Sequence, residues 1–178
     1  MFGLLPVSAG ELVREAKHSP LTDPTTAKLI QEFDGAGKLL TGELVWQIIR
    51  THIHKALSSA QPHSISGFLL DGFPRTPENL EVLLQAAPKD GITICGAISL
   101  CVPDSVMMSR ALGRGATATA SSSATQSNVR WDDTDPAVIK RRIDNFHAQT
   151  EFVIKHWEKE GLLFSIDGTI GIDNVTEQ

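Results

Sequence analysis

Gly67-Phe68-Leu69-Leu70-Asp71-Gly72-Phe73-Pro74-Arg75 decides how the rest of the chain is read. Phe68, Leu69 and Leu70 form an apolar run long enough only for a buried strand. Asp71 ends the run, and Gly72 and Pro74 redirect the chain. Thr76-Pro77 then opens a helix, with Thr76 as N-cap and Pro77 at the first helical position. A carboxylate and a guanidinium therefore stand together at the carboxyl end of a strand, the edge at which open α/β sheets bind ligands. Asp71 can hold a magnesium ion there, directly or through water. Arg75 can clamp a phosphate with two parallel N–H donors. Taken alone, the two residues read more readily as an ion pair in a loop.

Upstream, Leu4, Leu5 and Val7 read as the end of a strand. Ser8 to Glu11 spells S-x-x-E, a capping box that opens a helix through about His18. Asp23-Pro24 starts a second helix with Leu29, Ile30 and Phe33 on one face, and Gly35 and Gly37 end it. Thr41 caps a third helix whose apolar stripe is Leu44, Val45, Ile48, Ile49, Ile53 and Leu57. Polar Ser58 to Ser66 reads as the link back.

Downstream, a helix is expected from Thr76 to about Ala87, with Leu80, Leu83 and Leu84 inward. Ile92 to Val102 is apolar on both faces, as a parallel central strand would be. Pro103-Asp104 begins a helix carrying Val106, Met107 and Arg110. Ala116 to Asn128 is almost entirely Ala, Ser and Thr, can bury little, and is expected to be mobile. A long helix is expected from Pro136 to about Glu160, with Val138, Ile139, Ile143, Phe146, Val153, Ile154 and Trp157, stopped by Gly161. Leu162 to Ile166 reads as the last strand.

The 178 residues suffice for one domain with a core. A net charge of −5 argues against a partner that presents a nucleic-acid backbone, which needs a broad basic surface. The arginines, Arg14, Arg50, Arg75, Arg110, Arg114, Arg130, Arg141 and Arg142, fall mostly within a few short motif-like stretches, Arg50 apart, whereas the lysines are scattered. Cys95 and Cys101 fall on one expected strand, too far apart to bridge, and read as small buried residues in a reducing, cytoplasmic compartment. The histidines show no metal spacing, and no apolar run reaches membrane length. The start lacks the basic region and long apolar core of a signal peptide.

GFLLDGFPRT resembles the signature of the adenylate kinase family, the nucleoside monophosphate kinases. Ser8-Ala9-Gly10-Glu11-Leu12-Val13-Arg14 is similar to the family's SAGDLLR or STGDLLR segment, and Gly37-Lys38-Leu39-Leu40-Thr41-Gly42-Glu43-Leu44-Val45 to its GKLV..E motif. Val102-Pro103-Asp104 through Arg110, with Gly113-Arg114-Gly115, look like a strand end and the start of the lid. Arg130-Trp131-Asp132-Asp133 looks like the R-x-D-D at the lid's far end. The motifs follow in family order over roughly residues 5 to 175.

The resemblance implies an α/β fold: a parallel sheet flanked by helices, with a helical monophosphate-binding insertion and a short lid. Residues 1–8, 63–114 and 134–178 would form the core, 9–62 the insertion, and 115–133 the low-complexity lid. It implies phosphoryl transfer from ATP to AMP or to UMP/CMP, with Mg2+. Ser8, Arg14, Lys38, Leu40, Gly72, Arg75 and Asn79 would bind the monophosphate, and Asn79 would read the base. Arg75, Arg110, Arg130 and Arg142 would be catalytic, Arg110 and Arg114 would meet ATP, and Asp71 would hold magnesium, through water. Asp132 would orient Arg130. Arg141 competes with Arg142; Arg142 is favoured because Ile143 then takes the apolar position. Asn79 and Ala9 lean toward the pyrimidine kinases, Thr76 and Thr41 toward adenylate kinases, so the base is open. No cysteine falls in the lid, which excludes a zinc-bound form.

No glycine-rich loop followed by Lys and Ser or Thr occurs in the sequence. In the family that loop holds the transferring phosphates, so catalysis by this chain is expected to be nearly abolished. The implied strand order is 2-3-1-4-5, and the chain starts at the second strand. The strands around Leu69 and Ile98 would then carry open edges. They could close on each other, pair with a protein partner, or stay unpaired. A non-catalytic nucleotide- or protein-binding module is thus the alternative reading.

Overall fold

The computed structural model describes residues 3–18, 26–30, 40–59, 65–120, 135–171 and 174–175, with the backbone alone at 18 and 115–120. The fold is α/β. The chain divides into two compact units, Met1–Thr93 and Ile94–Gln178. The division runs through the residues expected to make one core.

In the first unit, β1 (Leu4–Ser8) passes directly into α1 (Ala9–His18). Residues 26–30 are helical and bury Ile30. α2 spans Gly42–Ser59. It starts where Thr41 caps it: the Thr41 hydroxyl accepts the Leu44 N–H at 3.4 Å and its carbonyl accepts the Val45 N–H at 3.1 Å. β2 (Gly67–Asp71) pairs in parallel with β1, from Leu4 opposite Gly67 to Ser8 opposite Asp71. Parallel neighbours require a crossover, supplied here by the helical residues between them. α3 (Pro77–Ala86) and a 3-10 turn, Pro88–Asp90, complete the unit.

The α2 core differs from the expected stripe by one step. Leu44, Ile49 and Ile53 are buried, but Trp46 joins them and Leu57 is exposed. Trp46 is held from two sides. Its ring stacks on Phe73 with centroids 6.1 Å apart. Its indole N–H donates to Asp90 Oδ2 at 3.1 Å, and Asp90 Oδ1 pairs with Arg50 at 3.0 Å. A buried indole needs such a partner, and one charge in the 3-10 turn supplies it. In α3, Leu80 and Leu83 are buried as expected, whereas Leu84 is exposed and Asn79 takes the inward place.

In the second unit, β3 is shorter than expected, Ala97–Cys101, and pairs in parallel with β4 (Leu163–Asp167). It is not a buried central strand. Among the described residues its sheet has two strands, and Ile98, Leu100 and Phe164, which share a face, are 59–62% exposed. Cys95 and Cys101 are exposed rather than buried, and no disulfide joins them. α4 runs Asp104–Ala120. Residues 115–120, expected in the lid, thus continue the helix, in line with the high helix propensity of Ala; 121–134 lie outside the described residues. The long helix is interrupted. α5 (Pro136–Asn145) and α6 (Glu151–Lys159) are joined by a π-helical turn, Phe146–Thr150. Ile139 and Ile143 of α5 pack with Ala111 and against Met107 and Met108 of α4. Val153 and Trp157 of α6 are also buried.

Candidate functional site

The parallel register carries Ser8 and Asp71 to the carboxyl ends of adjacent strands. The Ser8 hydroxyl donates to Asp71 Oδ2 at 3.3 Å, and the carboxylate is otherwise exposed. α1 begins at the next residue, so its unsatisfied N–H groups face the same edge. Arg14, exposed on α1, folds back toward that end: a Cβ added at Gly10 would lie 3.5 Å from its Nη1. Backward tilt of helical side chains produces this placement.

The chain after β2 turns through Gly72, whose φ of 78° suits glycine and not an L side chain. Phe73 anchors the loop beneath, 4% exposed against Trp46. Arg75 is exposed at the top. Its own N–H donates to Asn79 Oδ1 at 3.3 Å, and the Asn79 N–H donates to the capping Thr76 hydroxyl at 3.1 Å. Asn79 is only 7% exposed, and its amide nitrogen donates to Glu78 Oε2 at 3.3 Å. Both ends of this side chain are therefore engaged within its own loop. Leu40 is half-buried just ahead of α2. Lys38 lies outside the described residues.

In the second unit, Arg110 is committed to the turn after β4. Nη1 donates to the Gly168 carbonyl at 2.6 Å and Nη2 to that of Thr169 at 3.0 Å. Asp167 is held below the usual carboxylate range by the Thr169 hydroxyl first, then by the Thr169 N–H, with the Arg110 charge adding to them. Arg114 is exposed; Arg142 is half-buried beside buried Ile143, and Arg141 is exposed. Arg130 and Asp132 lie outside the described residues.

A strand-edge carboxylate, a loop arginine and a helix N-terminus thus lie in and beside the β1–β2 pair. The adenylate kinase family profile matches residues 1–162. The chain belongs to the adenylate kinase family. Curated adenylate kinases similar to it include that of Xanthobacter autotrophicus, 33% identical over 98% of this chain and 82% of the relative. That of Micrococcus luteus is 31% identical over 99% and 76%, and that of Methylobacterium radiotolerans 31% over 98% and 80%. Membership makes this a phosphotransferase by family, one that moves phosphoryl groups between nucleotides.

Within an adenylate kinase frame the donor set at Asp71 fits a magnesium ion. A carboxylate and a hydroxyl oxygen are hard ligands, and among the described residues Asp71 accepts only the Ser8 hydrogen bond. Sequence reasoning missed Glu78, Gly42, Trp46 and Asp90. Glu78 lies outside the motifs and Gly42 at an unspecified position of one, and their link joins residues 36 positions apart. Trp46 stood within α2 but off its expected stripe, and the residue type, a large apolar ring with one N–H to satisfy, was the one available signal. No described helix is long and apolar enough to cross a membrane.

Proposed function

We propose that this chain binds a nucleoside monophosphate, AMP or UMP/CMP, at the carboxyl edge of β1 and β2, as the acceptor in phosphoryl transfer from ATP. The observation that carries the reading is the Ser8–Asp71 pair on parallel strands, with Arg75 on the loop above it and Arg14 turned back over the start of α1. Arg14 and Arg75 hold the acceptor phosphate. The backbone at Leu40 and Lys38 lines the base, and Gly72 lets the loop approach closely. Arg110, Arg114, Arg130 and Arg142 neutralise donor phosphates; Arg110 must first leave the Gly168 and Thr169 carbonyls. Asp71 would hold a magnesium ion, through water, and the ion would supply charge neutralisation to the phosphates. Positioning and electrostatics suffice for this chemistry, without a covalent intermediate.

The 178 residues contain no glycine-rich phosphate loop, and removing even one such donor costs about 3–4 kcal/mol in the transition state. The chain by itself is therefore proposed to bind and not to turn over. A coupled ADP-release assay beside AMP, UMP and CMP titrations tests this. Saturable monophosphate binding without turnover is expected. Absence of binding to all three would overturn the reading, and turnover well above background would overturn the inactivity. A protein-binding role is the second reading. It is favoured by the exposed apolar face of Ile98, Leu100 and Phe164, and no monophosphate binding would leave it standing.

A further inference from the structure

Glu78 received no role from any motif. It occupies the second position of α3, after Pro77, and is exposed, yet both its oxygens are used. Oε1 accepts the Gly42 N–H at 2.7 Å, at the first residue of α2. Oε2 accepts from Asn79 Nδ2 at 3.3 Å, and Asn79 Oδ1 in turn accepts the Arg75 N–H at 3.3 Å. The contact is close. A Cβ at Gly42 would lie 3.1 Å from Val82 Cγ2 and 3.2 Å from both the Asn79 Cα and Nδ2. Helix α2 therefore docks by its bare N-terminus onto the first turn of α3.

We propose that Glu78 is a positioning residue: it orients the buried Asn79 amide, so that Asn79 supports the Arg75 backbone instead of reading the base. The inference rests on the monophosphate-binding reading above. Donor–acceptor accounting gives it force. The Arg75 N–H can face only an acceptor and the Glu78 carboxylate only a donor, so one amide orientation satisfies both. The same carboxylate ties α2, which begins just after Leu40, to the loop of Arg75. Base-side and phosphate-side backbones are thereby fixed to each other by one side chain.

The accounting predicts a reciprocal rescue. In Glu78→Gln, of nearly the same shape, the single acceptor can serve Gly42 or Asn79 but not both, so two donors meet somewhere along the chain of bonds. In Asn79→Asp, two carboxylates meet. In the double variant the alternation returns at unchanged net charge. The introduced amide accepts from Gly42 and donates to the introduced carboxylate, which accepts from Arg75. Titrations with AMP, UMP and CMP should show each single variant weakened about tenfold for all three, as loss of about 1.4 kcal/mol implies. The double variant should return to within about threefold. Amide hydrogen exchange at Arg75 should lose protection in Glu78→Gln and regain it in the double. No rescue in binding or exchange would overturn the proposal, as would rescue for one base only, which would place Asn79 at the base. Should the wild type bind no monophosphate, the functional reading falls, and the exchange series alone decides whether Glu78 orients the Asn79 amide.

Discussion

Arg75 and His147 are the residues whose removal has the most readable consequences. Arg75 presents an exposed guanidinium on a backbone pinned by Asn79. Arg75→Ala should weaken monophosphate binding about 10- to 100-fold, the range of one charge-assisted hydrogen bond, as measured by calorimetric titration. His147, on the π turn, spans two carboxylates, Glu151 through Nδ1 and Asp104 through Nε2. Glu151 first, then Asp104, raise its pKa above the ordinary 6.5. The hydrogen bond from His147 is the main cause that lowers Glu151 below 4.5, with Lys155 assisting by charge. A raised histidine stabilises the fold fully below pH 6.5, and this is lost as pH rises through its folded value. A lowered glutamate stabilises above pH 4.5, and this is lost as pH falls through its folded value. The melting temperature of the wild type should therefore exceed that of His147→Gln most between pH 4.5 and 6.5. Added salt should shrink the difference, because the groups are exposed. At this scale the sequence displayed Asp71 and Arg75 openly, since turn residues surround them. It hid the engagement of Asn79, which depends on a carboxylate with no motif of its own.

Helices and strands were legible where their signals are local. Thr41 and Thr76 cap as their positions imply, and Gly161 follows α6 with a φ of 68°. Interruption of the long helix was not legible, because its apolar positions suit an unbroken pattern as well as a broken one. Nor was the exposure of β3: an apolar strand states that it wants neighbours, and cannot state how many it has. Docking of α2 on α3 gives two tests. Gly42→Ala gains helix propensity, but its methyl would lie 3.1 Å from Val82 Cγ2 and 3.2 Å from the Asn79 Cα, so the α3 surface must shift to admit it. A net loss of about 1–2 kcal/mol is expected from urea unfolding. Asp90→Ala strips Trp46 and Arg50 of their shared partner. It should cost about 1–3 kcal/mol by the same measurement.

Over the molecule as a whole, the order of motifs along the chain announced the family, and the family comparison agrees. Among the described residues the strands pair within each unit, β1 with β2 and β3 with β4. Apolar faces on so short a sheet favour self-association. Ile98→Lys, at a position 61% exposed, should raise the concentration at which light scattering appears while changing stability by less than about 0.5 kcal/mol. The boundary at Thr93 has a practical outcome. Each ladder is complete on its own side of that residue, so a protease nicking the backbone there would sever one covalent bond and no inter-strand hydrogen bond. Each half could then be produced as a separate polypeptide with its own ladder intact.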